Sequence, residues 1–304
     1  MAKVGVRPGR RRSRAWKWLL MAPFAALVLG VIVVPFINSI YLSFTQATLP
    51  KVSQEGMFGV PIEGFGQFKK AFGDPKLKNA LQNTIVFGVI SITLEMIIGT
   101  ALAFLFNRRI RGGKLFITVM IIPILAPPVT VGLIWRYLLD SNLGLINYLL
   151  SLIGIPPVRW LASSSLAMPS LIAVDVWLAT PFVFLVMLAA VRSLPVEPLE
   201  AARIDGANAW QRFWRVQLPM LRPIIAVILM IRVVDALRVF DVIYTLTGGG
   251  PGTQTQTIVP YIYKVVFEQM NSGYGSALAV LFVAGVGAVT LIILRTYGRM
   301  EENL

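Results

Sequence analysis

Six long apolar runs, near residues 18–43, 84–106, 115–139, 166–191, 223–246 and 276–294, constrain this chain more than any other feature. A helix needs about 20 residues to cross a hydrocarbon core roughly 30 Å thick, and each run is of that order. No water is available inside the core, so the backbone must satisfy its own hydrogen bonds, and continuous runs of this length do so as helices. With 56% hydrophobic and only 14% charged residues, the chain also lacks the polar groups needed to cover a soluble domain of 304 residues. The expected fold class is therefore all-α integral membrane, with about six transmembrane helices.

The net charge is +14, and its placement decides whether it concerns nucleic acid, anionic lipid or orientation. Seven of the 28 basic residues crowd the first 17 positions: Lys3, Arg7, Arg10, Arg11, Arg12, Arg14 and Lys17. A strongly apolar run follows them, so residues 1–17 are expected to form a basic cytoplasmic tail. Nucleic-acid binding is not expected, because the tail has neither interleaved aromatic residues nor a folded basic face. The run is also too long for a signal peptide, and no small-residue cleavage site follows it. With six spans and the N-terminus inside, cytoplasmic segments carry 18 Lys or Arg and outer segments seven, five of them in a long loop that weighs little in orientation. This predicts both termini in the cytoplasm, a transmembrane region over 18–294 and a second cytoplasmic tail over 295–304.

The chain has no Cys and no His. Disulfides, Cys or His metal sites, Ser-His and Cys-His nucleophiles and the H-E-x-x-H zinc motif are thereby excluded.

The longest cytoplasmic link, 193–222, is the most informative. Glu197-Pro198 and Glu200 open a helical stretch, where carboxylates favour the positive end of the dipole and Pro suits the first turn. Gly206 can end that stretch by adopting a backbone conformation closed to other residues. Phe213, Trp214 and Val216 then supply an apolar face to a second short helix, which Pro219 helps to end. Periodicity alone reads this helix-turn-helix as an amphipathic linker lying on the membrane surface.

The pattern of residues adds to that reading. Glu200-Ala201-Ala202, three residues, Gly206, nine residues and Val216-x-Leu218-Pro219 resemble the E-A-A-x3-G-x9-I-x-L-P loop of permease subunits from binding-protein-dependent ABC importers, with Val216 in place of Ile. Three further segments resemble the maltose and glycerol-phosphate branch of that family. They are Pro128-Val129-x4-Ile134-Trp135-Arg136-x7-Gly144-x2-Asn147, Trp177-Leu178-x2-Pro181-Phe182 and Phe240-Asp241-x2-Tyr244-x-Leu246-Thr247-x-Gly249-Gly250-Pro251. The resemblance implies a type I importer fold in the cytoplasmic (inner) membrane of a bacterium or archaeon. It implies a second permease subunit, two ATP-binding subunits and an extracytoplasmic solute-binding protein as partners, and a sugar or polyol as substrate. In that family the loop docks on the ATPase, which assigns coupling to Glu200, Ala201, Ala202, Asp205, Gly206, Leu218 and Pro219. No G-x4-G-K-[ST] occurs, since Gly112-Gly113-Lys114 lacks both the upstream Gly and the following hydroxyl. ATP and magnesium are accordingly expected on the partner ATPase subunits, with no cofactor on this chain and no enzymatic activity of its own.

Ionisable residues inside spans are costly and are functional candidates by default. Here they are Glu95, Asp175, Arg232, Asp235, Arg238 and Asp241, with Arg136 near an outer end. In the fifth run, Arg232, Asp235, Arg238 and Asp241 alternate in sign at i, i+3, so two readings stand: a self-neutralising ladder, or a lining for a substrate path. Glu95 and Asp175 can instead hydrogen-bond across helices, and Trp135 and Tyr137 read as interfacial anchors. The resemblance points to Leu178, Ala179 and Phe182 in the fourth run and to Asp235, Ala236, Arg238 and Val239 in the fifth as substrate-path residues. Another class of function, an ion-coupled secondary transporter, would use the fifth-run charges as a relay, but it leaves the Glu-Ala-Ala loop unexplained. A membrane enzyme built on Asp175 and Asp235 would lack the G-x-G-D context of aspartyl intramembrane proteases.

Overall fold

The structure, a computed structural model, describes residues 12–56, 58–108 and 110–301. Residues 1–11 of the basic tail and 302–304 of the C-terminal tail lie outside the described residues. The helices are α1 (Arg12–Val28), α2 (Val34–Leu42), α3 (Leu49–Glu55), α4 (Gly66–Phe72), α5 (Pro75–Phe106), α6 (Gly113–Leu125), α7 (Pro128–Leu138) and α8 (Leu145–Ser151). They continue as α9 (Ala167–Arg192), α10 (Glu197–Ile204), α11 (Ala209–Arg212), α12 (Leu218–Met220), α13 (Arg222–Leu237), α14 (Asp241–Leu246), α15 (Ile258–Tyr263) and α16 (Ser272–Glu301). Wide π-type turns at Leu29–Val33, Phe213–Gln217 and Lys264–Glu268 continue α1, α11 and α15. No sheet forms among the described residues; the β pairing is one antiparallel bridge between Thr45 and Ile62.

Four of these segments are long and apolar enough to cross a membrane: Leu20–Leu42, Pro75–Phe106, Ala167–Arg192 and Ser272–Arg295. The second begins at Pro75 rather than near 84, because helix length and apolar length differ. Asp74 accepts the Lys76 N–H at 2.8 Å as an N-cap, and Pro75 occupies the first turn, so the helix starts among polar residues.

Two expected spans are interrupted. The run 115–139 is a pair of helices bent by 103°. Ala126 and Pro127 are extended there, as expected of residues that each precede a proline, and Pro128 starts the next helix. The run 223–246 stops as a helix at Leu237, and α13, at 16 residues, is short for a span. No Gly or Pro marks this second break. Packing supplies the reason: α14 lies against α7, where a Cβ on Gly132 would overlap the Thr245 hydroxyl. Counting the bent α6–α7 pair as one span makes five candidates among the described residues.

The chain divides into two compact units, one of residues up to Phe72 with Val265–Leu281, the other of Gly73–Lys264 with the residues from Phe282 onward. In the first, the segment after α2 is stitched to the later stretch by Leu49 N–H to Met270 C=O and Gly273 N–H to Ala47 C=O, both at 2.8 Å. In the second, α5 and α9 pack along much of their length and α13 lies on both. One apolar cluster gathers Phe87, Val131, Leu171, Val174, Ala236 and Ile243, and another gathers Ala103, Val183, Phe184, Met187, Leu221 and Ile228.

Gly99 permits the close approach of α5 to α9. A Cβ there would sit 2.7 Å from Val183 Cγ1 and 3.0 Å from the Phe184 nitrogen, the small-residue contact on which membrane helix packing relies. Gly99→Val is expected to cost about 1–3 kcal/mol through overpacking, read as a lower unfolding temperature in detergent. Gly285→Val, where no atom lies within 4 Å of the added Cβ, is expected to leave that temperature unchanged.

Candidate functional site

Two parts of the larger unit carry chemistry beyond packing, the loop after α9 and a group of charges among α5, α9 and α13. In the loop, α10 ends in a closed motif. The Ala207 N–H donates to the Ala202 carbonyl at 2.9 Å and the Gly206 N–H to the Arg203 carbonyl at 3.1 Å, the paired bonds of a Schellman cap, with Gly206 at φ +78°. No atom lies within 4 Å of where a Gly206 Cβ would be, so the backbone conformation alone calls for glycine. The next helix starts two residues later with a capping box: Asn208 accepts the Gln211 N–H and Gln211 accepts the Asn208 N–H, each at 2.9 Å. Arg212 closes the corner by donating to the Ala207 carbonyl at 2.6 Å.

The second helix does not end at Pro219. The helical path runs through the wide turn Phe213–Gln217 into α12 and breaks at Leu221. Pro219 cannot donate to a carbonyl one turn earlier and its ring crowds that carbonyl, which a widened turn relieves. Trp210, Phe213 and Trp214 contact one another, and Phe213 meets Phe104 of α5 edge-on at 4.9 Å. Glu200, Ala201, Asp205 and Gly206 are exposed, as are Ile204 and Trp210, while Ala202, Leu218 and Pro219 are half-buried. The result is a rigid pair of short helices whose outer face is open.

The charges are arranged otherwise than along one helix. Arg232 of α13 grips Glu95 of α5 with two bonds, Nε to Oε2 at 2.6 Å and Nη2 to Oε1 at 2.9 Å, and reaches Asp175 of α9 at 3.4 Å. Glu95 is fully enclosed. Asp235 is only 3.8 Å from Arg232 and is held by Arg238 at 2.7 Å. The i, i+3 ladder is therefore realised between Arg238 and Asp235, weakly between Asp235 and Arg232, and not at all between Arg238 and Asp241, because the helix has ended. A guanidinium fork on a carboxylate is the geometry that best offsets the desolvation of both ions.

The other path residues divide by burial. Ala179 and Ala236 are closed off, and a Cβ added at Gly88 of α5 would lie 3.7 Å from that of Ala236. Leu178 and Val239 are half-buried against one apolar cluster and Phe182 against the other. Arg238 is open to its surroundings and Asp235 partly so. A groove of about 280 Å³ between α5 and α13, lined by Ile85, Val89, Ile92 and Leu237 among others, is too apolar to hold a polyhydroxylated ligand. Trp135 is not a simple anchor, since it is half-buried and meets Trp177 edge-on at 5.5 Å, while Tyr137 is exposed.

Two polar braces hold the loops that carry Asn147 and the Gly249-Gly250-Pro251 segment. Asn147 of α8 donates to the carbonyls of Asp140, Ser141 and Val158 at 3.0–3.2 Å and accepts from the Val158 N–H and Trp160 Nε1. The N–H groups of Leu143 and Asn142 hold the Asp140 carboxyl below the usual carboxylate range. Asn79 and Asn83 of α5 reach the carbonyls of Thr253 and Gln256 at 2.8–3.1 Å, pinning the Gly-rich loop before α15.

Residues 95–299 match the family model described as binding-protein-dependent transport system inner membrane component. The chain belongs to this family. It is 31% identical over 288 residues to the trehalose/maltose transport system permease protein MalF of Thermococcus litoralis, covering 94% of each chain. It is 32% identical over 289 residues to the trehalose transport system permease protein SugA of Mycobacterium tuberculosis, covering 95% of this chain and 91% of that one. Among solved structures it is similar to a bacterial ABC transporter involved in the import of the acidic polysaccharide alginate, with a TM-score of 0.77, 26% identity and coverage of 96% and 98% of the two chains. Like other members of this family, it is a multi-pass membrane protein.

In this member of the family, sequence reasoning singled out the loop residues as candidates and missed the Glu95–Arg232 pair. The signal is present: Arg232, Glu95 and Asp175 lie in three separate apolar runs, and the two carboxylates have no cation in their own runs to pair with. Removing Arg232 leaves the enclosed Glu95 unpaired, so Arg232→Met is expected to cost about 3–5 kcal/mol. Asp175 also leans on Arg232 at 3.4 Å, so the triple variant Glu95→Met/Asp175→Leu/Arg232→Met, which leaves no enclosed carboxylate behind, should recover much of that loss, with detergent unfolding temperatures of wild type, the single and the triple variant as the measurement.

Proposed function

We propose that this chain forms half of the membrane pore of an ATP-driven sugar importer and works by alternating access. The observation that carries the proposal is the rigid, outward-facing corner at Glu200–Gly206 in a chain of this family. A motor can drive a pore only through an element that moves as a body, and the Schellman cap, the capping box and the Arg212 bond make the two short helices such an element. Leu221, buried at the end of this path, joins it directly to α13, so displacement of the loop is displacement of the helix that carries Arg232 and Asp235.

On this reading, two ATP-binding subunits hold ATP and magnesium, and Glu200, Ala201, Ala202, Asp205, Gly206, Leu218 and Pro219 make or support the docking face. A second permease subunit completes the pore, and an external solute-binding protein delivers the cargo. The membrane is the cytoplasmic membrane of a bacterium or archaeon, with both termini in the cytoplasm. The cargo is a sugar or polyol, supported by the trehalose, maltose and alginate named for the relatives. The broken helices α6–α7 and α13–α14 support the path reading, because non-helical backbone at membrane depth is tolerated where it borders protein or a water-filled cavity.

Gly206→Val forces a β-branched residue into a left-handed conformation and Glu200→Lys reverses a charge at the exposed first turn. Both are expected to abolish ATP-driven sugar uptake while the protein still inserts. Gly206→Asn, which tolerates that conformation, should keep a substantial fraction. Normal uptake by the first two variants in vesicles containing the whole transporter would refute the coupling role.

A further inference from the structure

Where α13 stops, three aromatic rings meet. Phe240 stacks on Tyr244 with centroids 5.1 Å apart and planes 17° from parallel, and Tyr263 of α15 contacts both at 5.2 Å. Val242, Ile243 and Leu246 of α14 are buried, while Tyr244 is 40% exposed. Two residues before Phe240, the Arg238 side chain is 68% exposed and Asp235, its partner, 36%. A guanidinium this open at the broken end of a helix in an apolar run is costly in lipid and calls for water or a polar occupant. Flat aromatic faces beside paired hydrogen-bonding ions suit a pyranose, whose C–H face lies on a ring while its hydroxyls bond to charged groups.

The charge balance says which kind of sugar. Glu95, Asp175 and Asp235 present three carboxylates to the two guanidinium groups of Arg232 and Arg238, so even with one carboxyl protonated no positive charge is in surplus. Just past the break, Asp241 adds another exposed carboxylate. Arg136 of α7 also reaches this point, donating to the Thr245 carbonyl at 3.5 Å, and with it and Asp241 counted the carboxylates, four to three guanidinium groups, still outnumber the cations.

We propose that Phe240, Tyr244 and Tyr263 form the stacking face of a subsite for an uncharged pyranose sugar, with the Asp235–Arg238 pair supplying its hydrogen bonds and the surplus of carboxylate excluding anionic sugars. This rests on the importer reading above and deepens it, since relatives with neutral and with acidic cargo leave the class open.

The test uses the purified transporter, this chain with its partner permease and ATPase subunits, and measures equilibrium binding of maltose, trehalose and an alginate disaccharide without the binding protein. Wild type is expected to bind maltose or trehalose more tightly than the alginate disaccharide. Phe240→Leu and Tyr244→Leu, which keep bulk and lose the ring, should each weaken neutral-sugar binding about 3- to 10-fold, whereas Tyr244→Phe keeps most of it. Asp235→Asn should shift the preference toward the anionic probe, a change of selectivity that mere loss of packing does not produce. ATPase subunits must co-purify with every variant. Tighter binding of the alginate disaccharide by wild type, or unchanged binding in both Leu variants, would overturn the subsite and leave the importer reading intact. A wild-type complex that binds none of the three and moves no sugar with ATP would overturn both.

Discussion

Arg232 is held by Glu95 and Asp175 in a place where neither water nor the hydrophobic effect can hold it. Between helices in lipid there is no apolar driving force comparable to that in water, so close packing and polar contacts decide which helix meets which. α5 and α9 solve this with Gly99 and a long apolar seam. α13 is shorter and less enclosed, and it is tied to both by one guanidinium fork. The placement of its last turns follows from that tie, and with it the position of Asp235. A buried ion pair is a poor source of net stability but a strong selector of register, because any sliding of α13 leaves Glu95 unpaired.

How much of this could be read from the sequence depended on how local the cause was. The Gly206 cap is local: the alternation of acidic first turn, helix and glycine specifies it, and the Schellman bonds follow. The start of α5 at Pro75 is local too, although apolar length alone placed it too late. The Ala126–Pro127 bend was also written in consecutive prolines, but a hydropathy reading that counts prolines as tolerable merges the two halves into one span. The break after Leu237 has no local cause. It depends on Gly132, more than 100 residues earlier, letting Thr245 come close, and no pattern around Arg238 announces it.

The candidate site shows the same division. The i, i+3 spacing from Arg232 to Asp241 promised a ladder along one helix, and the longer-range partners won because Glu95 is fully enclosed and Asp235 is not. Asn147 and Gly144 belonged to a motif that suggested function by resemblance. In the structure Asn147 braces the 140–160 loop, and Gly144 lies where a side chain would overlap the Asp140 carbonyl. Residues that serve as loop braces and residues that meet ligand look alike in a sequence, since both are polar and lie at helix ends.

These constraints bear jointly on how the pore would be driven. The corner at Gly206 is stiff, α13 follows it after Leu221, and the fork on Glu95 is the next fixed point along that helix. On the proposed coupling, a push at the loop would act on a segment clamped at one position and interrupted just beyond it. The part beyond the clamp, from Arg238 to Tyr244, is fastened to α7 through Gly132 and Thr245 rather than to α13 by continuous helical bonds. Motion of α13 is thereby separable from motion of α14, and the separation falls where the open ion pair and the aromatic rings lie. A continuous helix through that point would carry such a push straight along the whole fifth run. The interruption instead concentrates the change of shape at the place where a passing solute would have to be gripped and released.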